Sequence, residues 1–212
     1  MATWLWSDPM ASKTKGVRSK HGPARLFRRF RKSDDGVAAI EFGVLAIPFF
    51  LLIFATIETF IAYAGEQLLS NTVDTMGRKI RTGQITFDQG KPTDMDAAAF
   101  KTAFCNEISI MMKCSDSEGT RLDLDVRQFA TFAAIPKGIP RVGGQPSGDL
   151  DTSNFDYSPG GAGSINVVRA YYHWDVVTDL VRPYITNVRN GSDSPDYYLM
   201  VATAAFQNEN YP

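Results

Sequence analysis

The sequence predicts an α+β protein in which a long amino-terminal transmembrane helix continues into a small domain with a second helix and an antiparallel sheet. Three observations lead to this prediction. Residues 37–64 form an almost uninterrupted apolar run, and apolar residues at helical spacing continue to about residue 81. Residues 121–132, 165–177 and 197–206 have the composition of strands. A chain of 212 residues is long enough for one domain with appendages.

Charge is distributed unevenly along the chain. Residues 1–36 contain nine of the 22 Lys and Arg residues but three of the 23 Asp and Glu residues, which leaves +6 on this arm and −7 on the remainder. A basic arm suits either nucleic acid or the cytoplasmic flank of a membrane span. Because the apolar run follows at once and no folded basic motif accompanies the arm, we predict a basic cytoplasmic leader and no nucleic-acid partner.

The apolar run at 37–64 is long enough to cross a bilayer, but it contains acids. Sixteen uncharged residues separate Glu41 from Glu58. About 20 apolar residues span the hydrocarbon as a helix, so the flanking residues must contribute. Pro48 should bend or loosen the helix, because proline lacks a backbone donor. A carboxylate in an apolar helix is costly, so Glu41 needs a functional explanation, whereas Glu58 suits the headgroup interface or a contact with a partner's helix.

Three interpretations of the apolar run compete. A cleaved secretory signal would have a shorter apolar core with a small-residue cleavage site after it. A plain signal anchor explains the basic flank and the length but not Glu41. The third interpretation rests on a resemblance: a basic leader, Gly36 and then Glu41 resemble the processing site of type IV prepilins. The resemblance implies a cut between Gly36 and Val37, and we prefer it because it accounts for all these features.

A cut after Gly36 would give Glu41 a role in assembly. It would remove the basic leader and leave a new amino group on Val37, which is cationic at neutral pH. Glu41 lies about one helical turn away, and in a helix bundle it can face the amine of a neighbouring subunit. Each charge alone is costly in lipid, and together they compensate one another.

Apolar spacing predicts two helices. In the first, the basic residues at 78–81 suit the last turn before a stop at Gly83. The second helix opens at the polar residues 93–96 and ends near Cys114. The apolar stripe of the first helix is Leu69, Val73, Met76 and Ile80, and the apolar residues that recur at helical spacing in the second are Phe100, Phe104, Ile108 and Met111.

The remaining segments predict strands and one long loop. Residues 121–132 begin with an alternation that predicts a half-buried strand, with its leucines and valine inward and Asp123, Asp125 and Arg127 outward. Residues 136–163 are rich in Gly, Pro, Ser and Asp and lack periodicity, so we expect a long loop that is mobile or faces a partner.

The two cysteines of the chain are Cys105 and Cys114. They cannot be bridged along one straight helix, so a disulfide requires a turn between them. Such a bridge would join the end of the second helix to the start of the first strand and contribute roughly 2–3 kcal/mol. A metal or redox site is the alternative, but with only His21 and His173 elsewhere the spacing fits no zinc pattern. We expect a disulfide, and no metal or cofactor.

Together these features resemble the TadE-like family, pseudopilin-type components of the tight-adherence (Flp pilus) secretion system of bacteria. The resemblance rests on FRRFRKSDDGVAAIEFGVLAIPFF, with its basic leader, glycine, Glu-Phe pair and proline-bearing helix, and on FCNEISIMMKC leading into LDLDVRQF. It also rests on the closing segment LMVATAAFQNENY, where Asn208, Glu209 and Tyr211 match and Asn210 stands where proline is common. It covers residues 37–212.

The resemblance implies a pilin-like fold and a structural function without catalysis. It implies a minor pseudopilin of a Tad-type (type IVc) pilus, cut by a prepilin peptidase and acting in pilus initiation, assembly or adhesion. Its partners would be other pilins, through the amino-terminal helix, and the inner-membrane assembly platform. The chain would cross the bacterial inner membrane once, with residues 1–36 in the cytoplasm, 37–64 in lipid and 65–212 in the periplasm. The rival interpretation is a signal-anchored periplasmic enzyme or binding protein, for which the sequence offers no paired catalytic groups.

Overall fold

The computed structural model describes residues 34–117, 119–189 and 195–211. Most of the predicted leader, residues 1–33, therefore lies outside the described residues. The described part of the chain divides into two units, with the boundary between Phe50 and Leu51.

Three α-helices occur in the described residues. They are α1 (Asp34–Arg81), α2 (Ala97–Ile108) and the one-turn helix α3 (Arg182–Ile185). The carboxylate of Asp96 caps α2 by accepting a hydrogen bond from the amide of Ala99 at 2.7 Å. α1 ends where its basic last turn predicts, whereas α2 ends well before Cys114.

The early end of α2 has a local cause. The chain turns after Ile108, whose carbonyl accepts the amides of Met111 at 3.1 Å and Met112 at 2.9 Å. This turn brings Cys105 and Cys114 together in a disulfide, with Cα atoms 5.9 Å apart, as the sequence leads us to expect. Because the turn breaks the helical phase, Met112 is buried and Met111 is 39% exposed. The prediction that the helix continues through Met111 to a point near Cys114 is therefore wrong.

The strands form a small ribbon and a larger mixed sheet. They are β1 (Ser115–Asp116), β2 (Gly119–Thr120), β3 (Leu122–Phe129), β4 (Tyr157–Ser158), β5 (Ile165–Trp174) and β6 (Tyr198–Gln207). The ribbon pairs β1 with β2, and the sheet has the order β4–β3–β5–β6. Its three long strands are antiparallel, as predicted, while the short β4 runs parallel to β3.

One face of the sheet packs against α1 and α2. Strand register places Val126 opposite Val168 and Tyr172 opposite Met200, so apolar residues of neighbouring strands share this face. Burial of this apolar surface is the main source of stability. The core contains Leu69, Val73, Met76 and Ile80 of α1, Phe100, Phe104 and Ile108 of α2, and Leu122, Val126, Val168, Tyr172 and Met200 of the sheet.

The opposite face of the sheet is covered by the segment predicted to be a long loop. Residues 136–163 are mostly irregular, but they contain β4 and the buried side chain of Leu150. The rings of Phe155 and Tyr171 stack with centroids 4.9 Å apart. Part of this segment therefore belongs to a second apolar cluster instead of projecting from the domain.

This cover changes the environment of Asp125. The side chain is on the face opposite Val126, as the alternation predicts, but the residue is buried. Its carboxylate pairs with Arg127 at 2.7 Å and accepts the amide of Asp156 at 3.3 Å. The prediction that Asp125 faces solvent is therefore wrong, because the segment after β3 returns over this face.

Helix α1 stops at Gly83 through a Schellman motif. Gly83 has φ +73°, the amide of Gln84 donates to the carbonyl of Lys79 at 2.9 Å, and the amide of Gly83 donates to the carbonyl of Ile80 at 3.1 Å. A Cβ at Gly83 would lie 2.6 Å from the ring of Tyr211. Both the backbone conformation and the close approach of the ring require glycine here.

Alanine at Gly83 should destabilise the protein more than alanine at Gly90. Gly90 has a similar φ of +70° but no atom within 4 Å of an added Cβ. Alanine at Gly90 therefore measures only the cost of placing a side chain on left-handed backbone, which is about 1–2 kcal/mol. At Gly83 the displaced Tyr211 ring should add about 1–3 kcal/mol. Thermal unfolding in detergent, followed by circular dichroism, measures the difference, and equal midpoints for the two variants would contradict the ring contact.

Candidate membrane and assembly site

Helix α1 carries an extensive apolar surface that the rest of the described chain leaves uncovered. The segment Val37–Arg81 is long and apolar enough to cross a membrane, with a mean hydropathy of 2.5 in its most apolar window and none of that window buried. Phe42 and Ile47 are 70% and 72% exposed. The core helix of a soluble domain would bury such residues, whereas hydrocarbon is a favourable environment for them.

The threonine hydroxyls within the apolar segment have hydrogen-bond partners inside the helix. The hydroxyl of Thr56 donates to the carbonyl of Leu52 at 2.8 Å, and that of Thr59 donates to the carbonyl of Ala55 at 2.8 Å. A lipid-facing helix needs such internal partners, because hydrocarbon offers none. α1 also continues through Pro48.

The predicted cleavage and assembly residues lie in the amino-terminal part of α1. Gly36 and Val37 are in its first turn, and Glu41 follows one turn later with an exposed side chain. Within the described part of the chain, no cationic side chain pairs with Glu41. The side chains one turn away on the same face of α1, Val37 and Leu45, are 51% and 70% exposed, so the carboxylate stands in an apolar surface.

Glu58 fastens α1 to the folded domain. Its carboxylate accepts hydrogen bonds from the amide of Val177 and from the amide of Thr178, the latter at 3.1 and 3.2 Å to its two oxygens. Two successive N–H groups bind an anion well, and bonds to a charged acceptor are strong. The contact offsets the cost of a carboxylate late in the apolar run. Neither predicted interpretation of Glu58 includes this contact with Val177 and Thr178. The donors are backbone amides, so no residue type in the sequence could have indicated them.

Two more contacts hold α1 just beyond Glu58. The hydroxyl of Tyr198 donates to Glu66 at 2.6 Å, and burial, followed by this bond, raises the pKa of Tyr198 to about 12. A Cβ at Gly65 would lie 3.3 Å from the indole of Trp174, so a small residue suits the close approach of β5. From Ala62 onward one side of α1 is part of the core.

No cluster of side chains that could hold a metal ion occurs among the described residues. Among them, no group of three or more His, Cys, Asp and Glu side chains comes together. His173 stacks on Tyr197 with ring centroids 4.5 Å apart, and its Nε2 lies 3.6 Å from the carboxylate of Asp123. Burial lowers the pKa of His173 and raises the pKa of Asp123. These contacts pack neighbouring strands together.

Comparison with known proteins finds a family model that matches the amino-terminal part of the chain. The sequence model of the TadE-like protein family matches residues 36–78, a range that includes Gly36, Val37, Glu41 and Glu58. The match confirms the predicted resemblance to this family. No curated protein and no solved structure matches the chain. For residues 79–212 the resemblance therefore stays a prediction.

Removal of the Glu58 carboxylate should free the backbone that follows β5. In a Glu58→Leu variant, amide hydrogen exchange at Val177 and Thr178 should accelerate about tenfold or more, because hydrogen bonds to charged groups contribute about 1.5–3 kcal/mol. Glu66→Gln is the matched control, since it removes a carboxylate of the same helix that binds Tyr198 of β6 and should leave these two amides unchanged. Mass spectrometry of exchanged peptides measures both variants, and unchanged exchange in Glu58→Leu would mean that the contact does not hold the segment.

Proposed function

We propose that this chain is a minor pseudopilin of a Tad-type (type IVc) pilus and that a prepilin peptidase cuts it between Gly36 and Val37. The observation that carries the proposal is the match of residues 36–78 to the TadE-like family. That match points to a protein of the Tad pilus system, and it begins at the proposed cut. The exposed apolar surface of α1 supports the proposal, because a pilin helix serves both as a membrane span and as the contact with other subunits.

In this proposal Glu41 joins subunits through charge compensation. The cut leaves a cationic amino group on Val37, and Glu41 of one subunit meets that amine on its neighbour. Exposed apolar side chains on either side of Glu41 would pack against the helices of other pilins. The partners are thus the peptidase, other pilins and the inner-membrane assembly platform, and the function is structural, in pilus initiation, assembly or adhesion.

The proposed orientation places the leader in the cytoplasm and the folded domain in the periplasm of a bacterial inner-membrane protein. The positive charge of residues 1–36 favours the cytoplasmic side. The disulfide between Cys105 and Cys114 supports the other half of the assignment, because such bonds persist in oxidising compartments.

Protein purified from its native membrane should begin at Val37. Peptidase cleavage removes the leader before assembly, so intact mass and amino-terminal sequencing together test the proposal. A chain that retains the leader would contradict processing and favour a signal-anchored periplasmic binding protein or enzyme. A chain that begins beyond residue 64 would indicate a cleaved secretory signal.

Replacing Glu41 by leucine should abolish pilus formation without impairing membrane insertion. The substitution makes the helix more apolar but leaves the amine of a neighbouring subunit without its carboxylate. Glu41→Asp is the control, because it keeps the charge and should retain pili. Membrane fractionation and electron microscopy of the cells give the two readouts, and normal piliation in Glu41→Leu would refute the pairing with the amine.

A further inference from the structure

The segment that follows β5, residues 175–185, presents an unusual apolar surface. Two of its valines, Val176 and Val181, are buried and fasten it to the domain. A second set points away from the domain and is largely exposed. This exposed set is Val177 (86%), Leu180 (61%) and Tyr184 (89%).

Hydrogen bonds fix the shape of the 175–185 segment. The amide of Val181 donates to the carbonyl of Thr178 at 3.0 Å, and the amide of Tyr184 donates to the carbonyl of Val181 at 3.0 Å. The guanidinium of Arg182 donates to the carbonyl of Val176 at 2.9 Å. The outward direction of the exposed set is therefore a property of the fold.

Glu58 attaches this segment to the apolar part of α1. Its carboxylate binds the amides of Val177 and Thr178. On α1, the side chains that share the face of Glu58 one turn before and one turn after it are apolar and exposed, with Phe54 at 57% and Ile61 at 40%. The exposed residues of the segment thus continue the uncovered apolar surface of the helix.

The acids of the 175–185 segment have basic partners. Asp175 pairs with Arg121, and Asp179 pairs with Arg182 at 2.8 Å. The side chain of Asp179 is 88% exposed, so this pair is weak in water. It nevertheless compensates the charge beside the apolar residues, and the segment can approach a bilayer without an unpaired carboxylate.

We propose that the 175–185 segment is a second membrane anchor, which inserts Val177, Leu180 and Tyr184 into the lipid interface on the side of the folded domain. The proposal rests on the membrane span in the proposed function. The bilayer is the partner of this surface, because the exposed residues of the segment are continuous with the apolar surface of that span. Apolar side chains at such a site enter the interface by about 5–10 Å, at the depth where tyrosine is enriched. The anchor would fix the orientation of the domain above the membrane.

Tryptophan fluorescence in vesicles tests the insertion directly. The full chain, with Trp4, Trp6 and Trp174 changed to phenylalanine, is placed in phosphatidylcholine–phosphatidylglycerol vesicles with or without brominated acyl chains. A Leu180→Trp reporter should lose roughly half of its emission to bromine, because it lies within the acyl boundary. Tyr184→Trp is a second reporter at an independent position.

Phe132→Trp is the matched control. Phe132 is also an exposed apolar residue, at 51%. It follows the end of β3 at Phe129, which pairs with Ile165, whereas the segment leaves the other end of β5 at Trp174. Emission from this control should be the same in both kinds of vesicle.

The outcomes separate this proposal from the membrane span. Quenching of Leu180→Trp and Tyr184→Trp, but not of Phe132→Trp, would support the anchor. Absence of quenching in chains that float with the vesicles would overturn the anchor and leave the span of α1 intact. Blue-shifted emission without quenching would mean that another copy of the chain covers the segment, which also overturns it. Chains that do not float would overturn the span and the anchor together.

Discussion

Helix α1 has to suit two solvents, and this constraint determines much of the structure. Between Val37 and Ile61 most of its side chains are apolar, and most of the large ones are exposed, on all sides of the helix, an arrangement that suits lipid. After Ala62 only the stripe that includes Leu69, Val73 and Met76 is apolar, and the sheet and α2 cover it. The strands are positioned by that stripe, because it is the apolar surface on which the water-exposed domain can build a core.

The domain is fixed to α1 at both ends of that stripe. At the membrane end the contacts of Glu58 and Glu66 hold the start of the 175–185 segment and the start of β6. At the far end the closing residues return to the helix: the amide of Glu209 donates to the carbonyl of Arg81 at 2.9 Å, and the amide group of Asn208 donates to Gly160 and Gly161 at 2.8 and 2.9 Å. These bonds give the closing residues Asn208 and Glu209 a structural role.

Features with local periodicity could be predicted from the sequence, and features that depend on distant segments could not. The span, the stripe of α1, the stop at Gly83 and the three long strands follow from residue spacing and turn chemistry. The burial of Asp125 depends on residues 136–163 folding back over the sheet, and the burial of Met112 instead of Met111 depends on the turn that closes the disulfide. The spacing of residues along one element does not indicate where a later segment packs, nor which side chains point inward after a turn.

The two glutamates of the apolar run show why the same residue type has two physical roles. Folding satisfies Glu58, because the backbone amides of Val177 and Thr178 reach it within one chain. Glu41 has no cationic side chain beside it in the described residues, and its neighbours on α1 are apolar. In lipid an uncompensated carboxylate is costly, so under the proposed function its partner comes from another subunit. The carboxylate of Glu41 has no compensating charge among the described residues of its own chain. It therefore makes a single chain in the membrane less favourable than an assembly of several chains.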